Sequence, residues 1–317
     1  MVLLAACGAS STPAPNSDSA NQIETEPSQP PEATDTPVIA ATATEADNPQ
    51  PTATEAPVEA ATLTPAPDYT PTPDTRLDAY YWRNWPLVPE VSKNARQIYL
   101  RGLEQGHDPN AFSKVGDCQS QPPVFFGIYD TEDRYYLGED YEFMQRTIDH
   151  FAGSFGRESL AVRNGLSVAS VFSPLWADQE FCDSGETPID CEFRLHNPSI
   201  VIISLGTNWQ PGAELSFDEY LRELVEYAID RNVLPILVTK ADNVEGDYLL
   251  NEVIAQVAYD YDIPLWNFWA AVQHLPNHGV DPEKKGGLIY LVPEAWDIKS
   301  FTGLEALDAV WTAVSAE

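Results

Sequence analysis

Basic residues are scarce in this sequence. Lysine and arginine together number 17 in 317 residues, against 49 aspartates and glutamates, which gives a formal net charge of -32. Because contacts to phosphate need a basic surface, this balance excludes nucleic acid as an expected partner, and it excludes electrostatic docking on anionic lipid. No Cys/His spacing suits zinc and no glycine-rich loop has the Walker form, so neither a metal nor a cofactor is expected.

Long apolar runs are also lacking. No run approaches the roughly 18 residues that a spanning helix needs, so the sequence predicts no transmembrane segment. From Gly8 to Thr75 there is no lysine or arginine, whereas this stretch holds 13 of the 27 prolines and 11 acidic residues. Such a composition cannot bury enough apolar surface to offset conformational entropy, and proline with like charges keeps a chain extended. We therefore expect a disordered stalk over residues 8–75 and a folded domain over residues 76–317.

Cysteine is rare, and the first of the four cysteines stands just before the stalk. Leu4-Ala5-Ala6-Cys7 resembles a bacterial lipobox. The resemblance implies that Cys7 becomes the acylated N-terminus of an exported lipoprotein, with membrane lipid as its partner and the domain held extracellularly at the outer face of the bacterial membrane. Residues 1–7 would then be a truncated signal, too short for its charged and apolar regions, so we expect translation to start upstream. The alternative is a chance Ala-Ala-Cys ahead of an unanchored tail.

Two further cysteines, Cys182 and Cys191, flank a turn that contains glycine and proline. Disulfides form and persist in oxidising compartments outside the cytoplasm. For an exported chain, the natural expectation is a local disulfide between these two residues.

Strand-like and helix-like segments alternate in the second half of the chain. The apolar run Ser199–Leu205 is typical of a strand buried on both faces, and Ser216 with Glu219 has the pattern of a capping box at a helix start. Strands are predicted at 199–205, 233–238 and 263–266, and helices at 92–105, 139–151, 216–228, 250–261 and 304–314. This alternation predicts an α/β fold, a three-layer α/β/α sandwich with a parallel, flavodoxin-like sheet. Binding sites in such sheets lie at the carboxyl ends of the strands.

An aromatic cluster stands at the entry to the folded domain. Its members are Tyr80, Tyr81, Trp82 and Trp85. Clusters of this kind usually pack as a lid on the core, which is the interpretation we favour. A surface on which sugar rings stack is the alternative.

Four short blocks follow one another in an order with chemical meaning. They are Gly116-Asp117-Cys118, Gly165 within Asn164-Gly165-Leu166-Ser167, Gly206-Thr207-Asn208, and Asp297-Ile298-Lys299-Ser300. In this order the blocks resemble those of the SGNH (GDSL) hydrolase family: a nucleophile turn, a glycine, a Gly-x-Asn turn, and a late Asp-x-x-His before the last helix. Trp209 stands where an aspartate is common in that family.

The resemblance implies an oxyanion hole formed by the backbone N–H groups of Cys118 and Gly165 and by the side chain of Asn208. Fixed donors of this kind stabilise the negative charge that develops on an attacked ester carbonyl. Members of the family cleave carboxylic esters, including acetyl groups on envelope glycans. An envelope glycan or a small ester is therefore the expected ligand.

Two members of the implied triad are replaced. Cys118 stands where the family has serine, and Ser300 stands where it has histidine, whereas Asp297 matches. Serine cannot act as a general base at neutral pH. We therefore predict a degraded catalytic site on a pseudoenzyme that keeps its cleft.

Other interpretations of Cys118 stay open. It can act as a thiol nucleophile in an active esterase, with His278 as a relocated base, because a thiolate needs less activation than a hydroxyl. It can also be a small buried apolar residue without chemistry. A non-enzymatic protein that binds envelope carbohydrate is a further alternative.

Overall fold

The computed structural model describes residues 76–283 and 289–316. The predicted lipobox with Cys7 and the predicted stalk lie outside these residues. Within them, no helix is both long enough and apolar enough to cross a bilayer.

Four parallel strands form a single sheet in the order β1-β2-β3-β4. The strands are β1 (Asp108–Gly116), β2 (Pro198–Ser204), β3 (Leu234–Val238) and β4 (Leu265–Trp266). The end of β1 and nearly all of β2, β3 and β4 are buried. Strands buried in this way must be covered on both faces of the sheet, which explains their continuous apolar runs.

Helices supply the two covering layers. They are α1 (Lys93–Glu104), α2 (Gln145–His150), α3 (Pro188–His196), α4 (Glu214–Asp230), α5 (Leu249–Tyr261), α6 (Phe268–Ala271) and α7 (Pro293–Ser315). Helices α1, α2 and α6 pack against α7, whereas α4 packs against α5. The predicted α/β fold with a parallel sheet between helices is confirmed.

A single residue extends the sheet beyond β1. Val162 forms a parallel bridge with Gly116. The N–H of Gly116 donates to the carbonyl of Ala161 at 3.0 Å, and the N–H of Arg163 donates to the carbonyl of Gly116 at 3.2 Å. Because both backbone groups of Gly116 face this side, Val162 lies on the edge of β1 opposite to β2. Strand β1 is thus internal, as in a flavodoxin-like order, with its outer neighbour reduced to one bridge.

Three predicted helix starts are wrong. The helix predicted from residue 139 starts as an α-helix only at Gln145, after a 3-10 turn over Glu139–Met144. Helix α7 begins at Pro293 rather than near Leu304, so Asp297 and Ser300 lie within the last helix and not before it. Proline is well suited to the first helical turn. Buried polar residues in the early turns of α7, among them Lys299 and Thr302, interrupt the apolar pattern that a sequence-based prediction follows.

Ser216 is the third residue of α4 and does not cap that helix, which begins at Glu214 without a side-chain cap. The capping box that the structure contains is at α3, where Thr187 and Asp190 exchange hydrogen bonds just before and after Pro188. The same Ser/Thr-x-x-Asp/Glu pattern occurs at both places. Only the pattern at α3 has a proline, Pro188, directly after its first residue, at the first position of the helix.

Cys182 and Cys191 form a disulfide, with an S–S distance of 2.06 Å and a Cα–Cα distance of 5.3 Å. This is the pairing expected from the sequence. Cys191 lies on α3 rather than in a loop, so the disulfide ties a preceding turn to that helix.

Candidate active site at the carboxyl ends of the strands

The chain turns sharply where β1 ends. Residues Cys118–Ser120 form a 3-10 turn that is capped by Asp117, whose carboxylate accepts the N–H of Gln119 at 2.9 Å. A Cβ atom on Gly116 would lie 2.1 Å from the Oγ of Ser120, so only glycine fits there. Cys118 is buried, with 7% of its surface exposed, and is not part of a disulfide.

Asp117 is a buried carboxylate with one unused oxygen. Its Oδ1 accepts the Gln119 N–H, whereas its Oδ2 has no hydrogen-bond partner among the described residues. Burial raises the pKa of Asp117 to about 6, although the Gln119 hydrogen bond and the charge of Lys299 act in the opposite direction. Part of the Asp117 population is therefore protonated in mildly acidic solution.

Lys299 brings a buried cation to the same turn. It is 1% exposed. Its Nζ donates to the carbonyl of Gln119 at 2.9 Å and lies 3.4 Å from the Oγ of Ser204 at the end of β2. Burial lowers the pKa of Lys299 to about 8, and the nearby Asp117 and Cys118 oppose this shift. The ring centroids around this ammonium group lie 5.1 to 6.0 Å away, in Phe125, Phe268 and Trp296.

Sequence reasoning missed Lys299. It is part of the fourth block, but it was not recognised as a site residue because that block was placed before the last helix. With the helix start at Pro293, Ala295, Lys299 and Gly303 fall on one buried face at a spacing of four residues. A lysine on the apolar face of a helix is a signal that could have been noticed.

Ser300 contacts the backbone of a neighbouring turn. Its side chain is buried, and its Oγ accepts the backbone N–H of Phe126 at 3.2 Å. Phe126 has a left-handed backbone, with φ of 71°, so the serine hydroxyl holds a strained turn. Asp297 lies on the exposed surface of α7.

His278 lies in a 3-10 turn, Pro276–Gly279, that packs against the first turn of α7. Its Nδ1 is buried and has no hydrogen-bond partner within the described residues. The chain between this turn and α7 reaches the Cys118–Ser120 turn, because the side-chain amide of Gln119 donates to the carbonyl of Ile289 at 3.4 Å. The role of His278 as a base stays a prediction.

The second and third blocks meet. The Nδ2 of Asn208 donates to the carbonyl of Leu166 at 3.1 Å, next to Gly165. Gly165 has a φ of 80°, a conformation that favours glycine. One amide hydrogen of Asn208 is thus committed to the backbone. An oxyanion role for Asn208 and Gly165 stays a prediction.

Buried charges join the ends of β2 and β3. The Nζ of Lys240 lies 2.7 Å from the Oδ1 of Asp242 and 2.5 Å from the Oε2 of Glu245. The hydroxyl of Thr207, in the third block, donates to the other oxygen of Asp242 at 3.1 Å. The charge of Asp242 also acts on Asp117 and Lys299. Lys240 offsets the charges of Asp242 and Glu245, because a buried ion is costly unless it is paired.

In the described part of the chain, one group has three potential metal ligands close together: Cys182, Glu186 and Cys191. The two cysteines form the disulfide, and Glu186 pairs with Arg194 at 2.5 Å. Disulfide sulfur is a poor ligand compared with thiolate. This group is therefore not suited to hold a metal.

A cavity of about 1090 Å³ lies away from these blocks. It is a wide cleft between residues 122–135 and 145–157. Asp130 ties its two walls together by accepting the N–H groups of Gly153 at 2.8 Å and Gly156 at 2.6 Å. Cys118 and Asn208 do not line it. None of the residues of the four blocks lines this cleft. We therefore place the candidate site at the carboxyl ends of the strands.

The four residues of the aromatic cluster at the domain entry differ in burial. Trp82 is fully buried, and Trp85 packs against the core, as expected of a lid. Tyr80 and Tyr81 are 70% and 53% exposed, with ring centroids 5.2 Å apart. The lid interpretation is thus correct for the two tryptophans and wrong for the two tyrosines.

No family model and no curated protein matches this chain. Among solved structures, it is similar to a GDSL-like lipase from Bacteroides thetaiotaomicron VPI-5482, at 15% sequence identity. The likeness covers 68% of this chain and 97% of the lipase, with a TM-score of 0.40.

Proposed function

We propose that this chain is a lipid-anchored protein of the bacterial cell surface whose SGNH-hydrolase-like domain has lost serine-esterase chemistry. The observation that carries this proposal is the environment of Ser300. The serine that stands at the expected histidine position is buried and bonded to the N–H of Phe126. No proton carrier of the expected type is present at that position.

The chemistry that this domain lacks is proton transfer to and from the nucleophile. In the expected mechanism a base takes the nucleophile's proton, and the resulting acid gives it to the leaving alkoxide. A serine hydroxyl does neither at neutral pH. Asp297, which would orient a histidine, is on the surface of α7. The fixed N–H donors alone would then support only slow hydrolysis.

Two features support export. Leu4-Ala5-Ala6-Cys7 has the pattern of a lipobox, and the Cys182–Cys191 disulfide suits an oxidising compartment. The test is metabolic labelling with palmitate in a bacterial host, from DNA that includes the region upstream of Met1, with Cys7→Ser as the control. Labelling of the Cys7→Ser variant at the level of the parent chain would contradict the anchor.

A second candidate function is thiol-dependent ester hydrolysis, which the position of Lys299 favours. Its buried ammonium group lies at the turn that contains Cys118 and interacts electrostatically with that thiol. In its neutral form the amine can accept the thiol proton, after which the thiolate attacks the ester carbonyl and the alcohol leaves with the proton. Hydrolysis of the resulting thioester by water would release the acid and restore the thiol.

One experiment decides between the two candidates. The full-length chain is assayed for sustained turnover of p-nitrophenyl acetate beyond one equivalent, in parallel with Cys118→Ala. The first proposal expects equal, background rates for both proteins. Turnover that is lost in Cys118→Ala would overturn it and support the thiol mechanism.

If turnover is found, two further variants identify the base. Loss in Lys299→Met with activity kept in His278→Ala would assign the amine. The reverse pattern would assign the imidazole. Circular dichroism melting of each variant shows whether the fold is retained.

A further inference from the structure

A cavity of about 310 Å³ lies at the amino end of β4, where Ile263 and Leu265 line it. Its other walls come from the segment between residues 76 and 92 and from the last turn of α5. Cys118 follows the carboxyl end of β1, so this cavity lies at the opposite ends of the parallel strands. It is therefore separate from the candidate active site.

Most of the lining is apolar. It includes Leu77, Trp85, Val91 and Ile263, together with two prolines. The volume lies in the range of about 300–1,000 Å³ that is usual for small-molecule sites. Water occupies about 30 Å³ per molecule in the liquid, so the space corresponds to about ten non-hydrogen atoms. A ligand with one apolar ring would fill it and would remove apolar surface from water.

One cation of the protein already lies in the lining. The guanidinium group of Arg76 lies 4.2 Å from the centroid of the Tyr259 ring, and its Nη1 pairs with Asp262 at 2.9 Å. The same nitrogen donates to the carbonyl of Tyr259, in the last turn of α5, at 2.9 Å. Aromatic faces, carboxylates and the C-terminal ends of helices all favour positive charge. The contacts of Arg76 thus show that this cavity is suited to a cation.

A second carboxylate and a second aromatic ring line the same cavity without a cation. Glu90 is exposed and forms no ion pair with any described residue. No lysine or arginine of the described ranges lies over the ring of Trp85, whose indole N–H donates to the carbonyl of Asp78 at 3.3 Å. The lining has two carboxylates and one guanidinium group, so its excess charge is negative.

We propose that this cavity binds an organic cation of about ten non-hydrogen atoms, with its ammonium group paired with Glu90 and its aromatic ring against Trp85. A neutral ligand of the same shape would lack the ion pair. An anion would meet the excess of carboxylates and would lose its hydration without gaining a partner. Binding here involves no chemistry at Cys118, so the inference does not depend on the proposed function.

The test compares ligands of similar size that differ in charge. Full-length protein labelled with 15N in its eight tryptophans is titrated with 2-phenylethylamine at neutral pH and constant ionic strength. The indole signal of Trp85 is identified by its loss in Trp85→Phe. We expect a saturable shift of that signal at millimolar concentration. Binding of 2-phenylethanol should be about 5-fold weaker, and neither phenylacetate nor ethylamine, which lacks the ring, should cause a saturable shift.

Glu90→Gln tests the ion pair with little change of shape. Glu90 is exposed, so the variant should fold. Its affinity for 2-phenylethylamine should fall by about 3-fold or more, whereas its affinity for 2-phenylethanol should not change. Glu252→Gln is the matched control, because it removes the same charge from an exposed position in the first turn of α5, at the end of that helix away from Asp262. It should leave both affinities unchanged.

Three results would each overturn the inference. They are no saturable shift of the Trp85 signal with 2-phenylethylamine, equal affinity for the amine and the alcohol, and a loss of amine affinity in Glu90→Gln no greater than in Glu252→Gln. The last result would mean that the net charge of the chain, -32, attracts the cation without a specific site. Ester turnover is not measured in these titrations, so the proposed function stands or falls separately.

Discussion

The Nζ of Lys299 lies 2.9 Å from the carbonyl oxygen of Gln119, the residue that follows Cys118. This bond fastens the last helix to the turn at the end of β1, and it places a buried cation beside the Asp117 carboxylate. The charge balance of the site therefore depends on one lysine from a distant part of the chain. The effect of Lys299 on the stability of the protein can be measured without a ligand.

The first prediction concerns stability in alkaline solution. The folded-state pKa of Lys299 is lowered from 10.5 to about 8, so between these values the unfolded chain binds more protons than the folded one. Stability therefore rises with pH in this range because of Lys299. Unfolding by urea at pH 8 and pH 10 should show that Lys299→Met lacks about 2 kcal/mol of this rise.

Lys114, whose pKa burial also lowers to about 7, provides the control. It contributes to the same alkaline rise in both proteins and cancels in the comparison. Equal slopes for the parent chain and Lys299→Met would contradict the assignment of a depressed pKa to Lys299.

The second prediction concerns Asp117 in acid. Its folded-state pKa is raised from 3.8 to about 6, so its contribution to stability is fully present below pH 3.8 and is lost as pH rises through 6. Asp117→Asn keeps a good capping residue and removes this loss. As pH rises from 4 to 7, the stability of the variant should therefore gain about 2 kcal/mol on that of the parent chain, measured by urea unfolding. A gain that does not vary with pH would indicate a steric cause instead.

The third prediction tests the packing of Gly116 against the Cys118–Ser120 turn. Gly116→Ala places a methyl group 2.1 Å from the Oγ of Ser120 and 3.0 Å from the carbonyl of Ser204. We expect a loss of about 2–4 kcal/mol in the free energy of unfolding. Ser120→Gly removes the nearer obstacle, so the double variant should recover at least half of that loss.

Because the two residues touch, their effects should not add. Additive effects of Gly116→Ala and Ser120→Gly in this double-mutant cycle would show that the clash is relieved by a shift of the backbone. The position of the 3-10 turn would then be softer than the structure indicates.

The sequence predicts those helices and strands that are stabilised by apolar burial better than those that are fixed by specific hydrogen bonds. Strands β2 and β3 and helix α5 were predicted within about two residues at most boundaries, because burial gives them uninterrupted or periodic apolar patterns. The Val162 bridge was not predicted, since backbone atoms alone make it. The start of α7 was misplaced because Lys299 and Ser300 are polar residues buried by specific partners.

In the candidate site, features with a local sequence signal can be predicted, whereas contacts between distant segments cannot. The Gly116 and Gly165 turns carry local signals, namely glycines at positions where no other residue fits or where φ is positive. The pairing of Asn208 with Leu166 joins segments 42 residues apart. No local pattern contains such a contact.

The last prediction concerns the two positions at which this sequence departs from the triad that the SGNH resemblance implies. Cys118→Ser with Ser300→His restores the residue types that the SGNH resemblance implies, yet we expect no gain in turnover of p-nitrophenyl acetate. Position 300 is buried against the N–H of Phe126, and Asp297 is exposed on α7, so an imidazole would be crowded and lack an orienting carboxylate. The variant should also lose about 1–3 kcal/mol of stability, because the Phe126 N–H loses its acceptor.

Ser300→Ala isolates that second effect. It should cause a similar loss of stability by removing the same hydrogen bond without adding bulk. Under the proposed function the serine holds a strained turn and takes no part in chemistry, so the activity of Ser300→Ala should equal that of the parent chain. Sustained turnover in the Cys118→Ser, Ser300→His double variant, measured at several pH values, would contradict this prediction and would show that an imidazole at position 300 can act on residue 118.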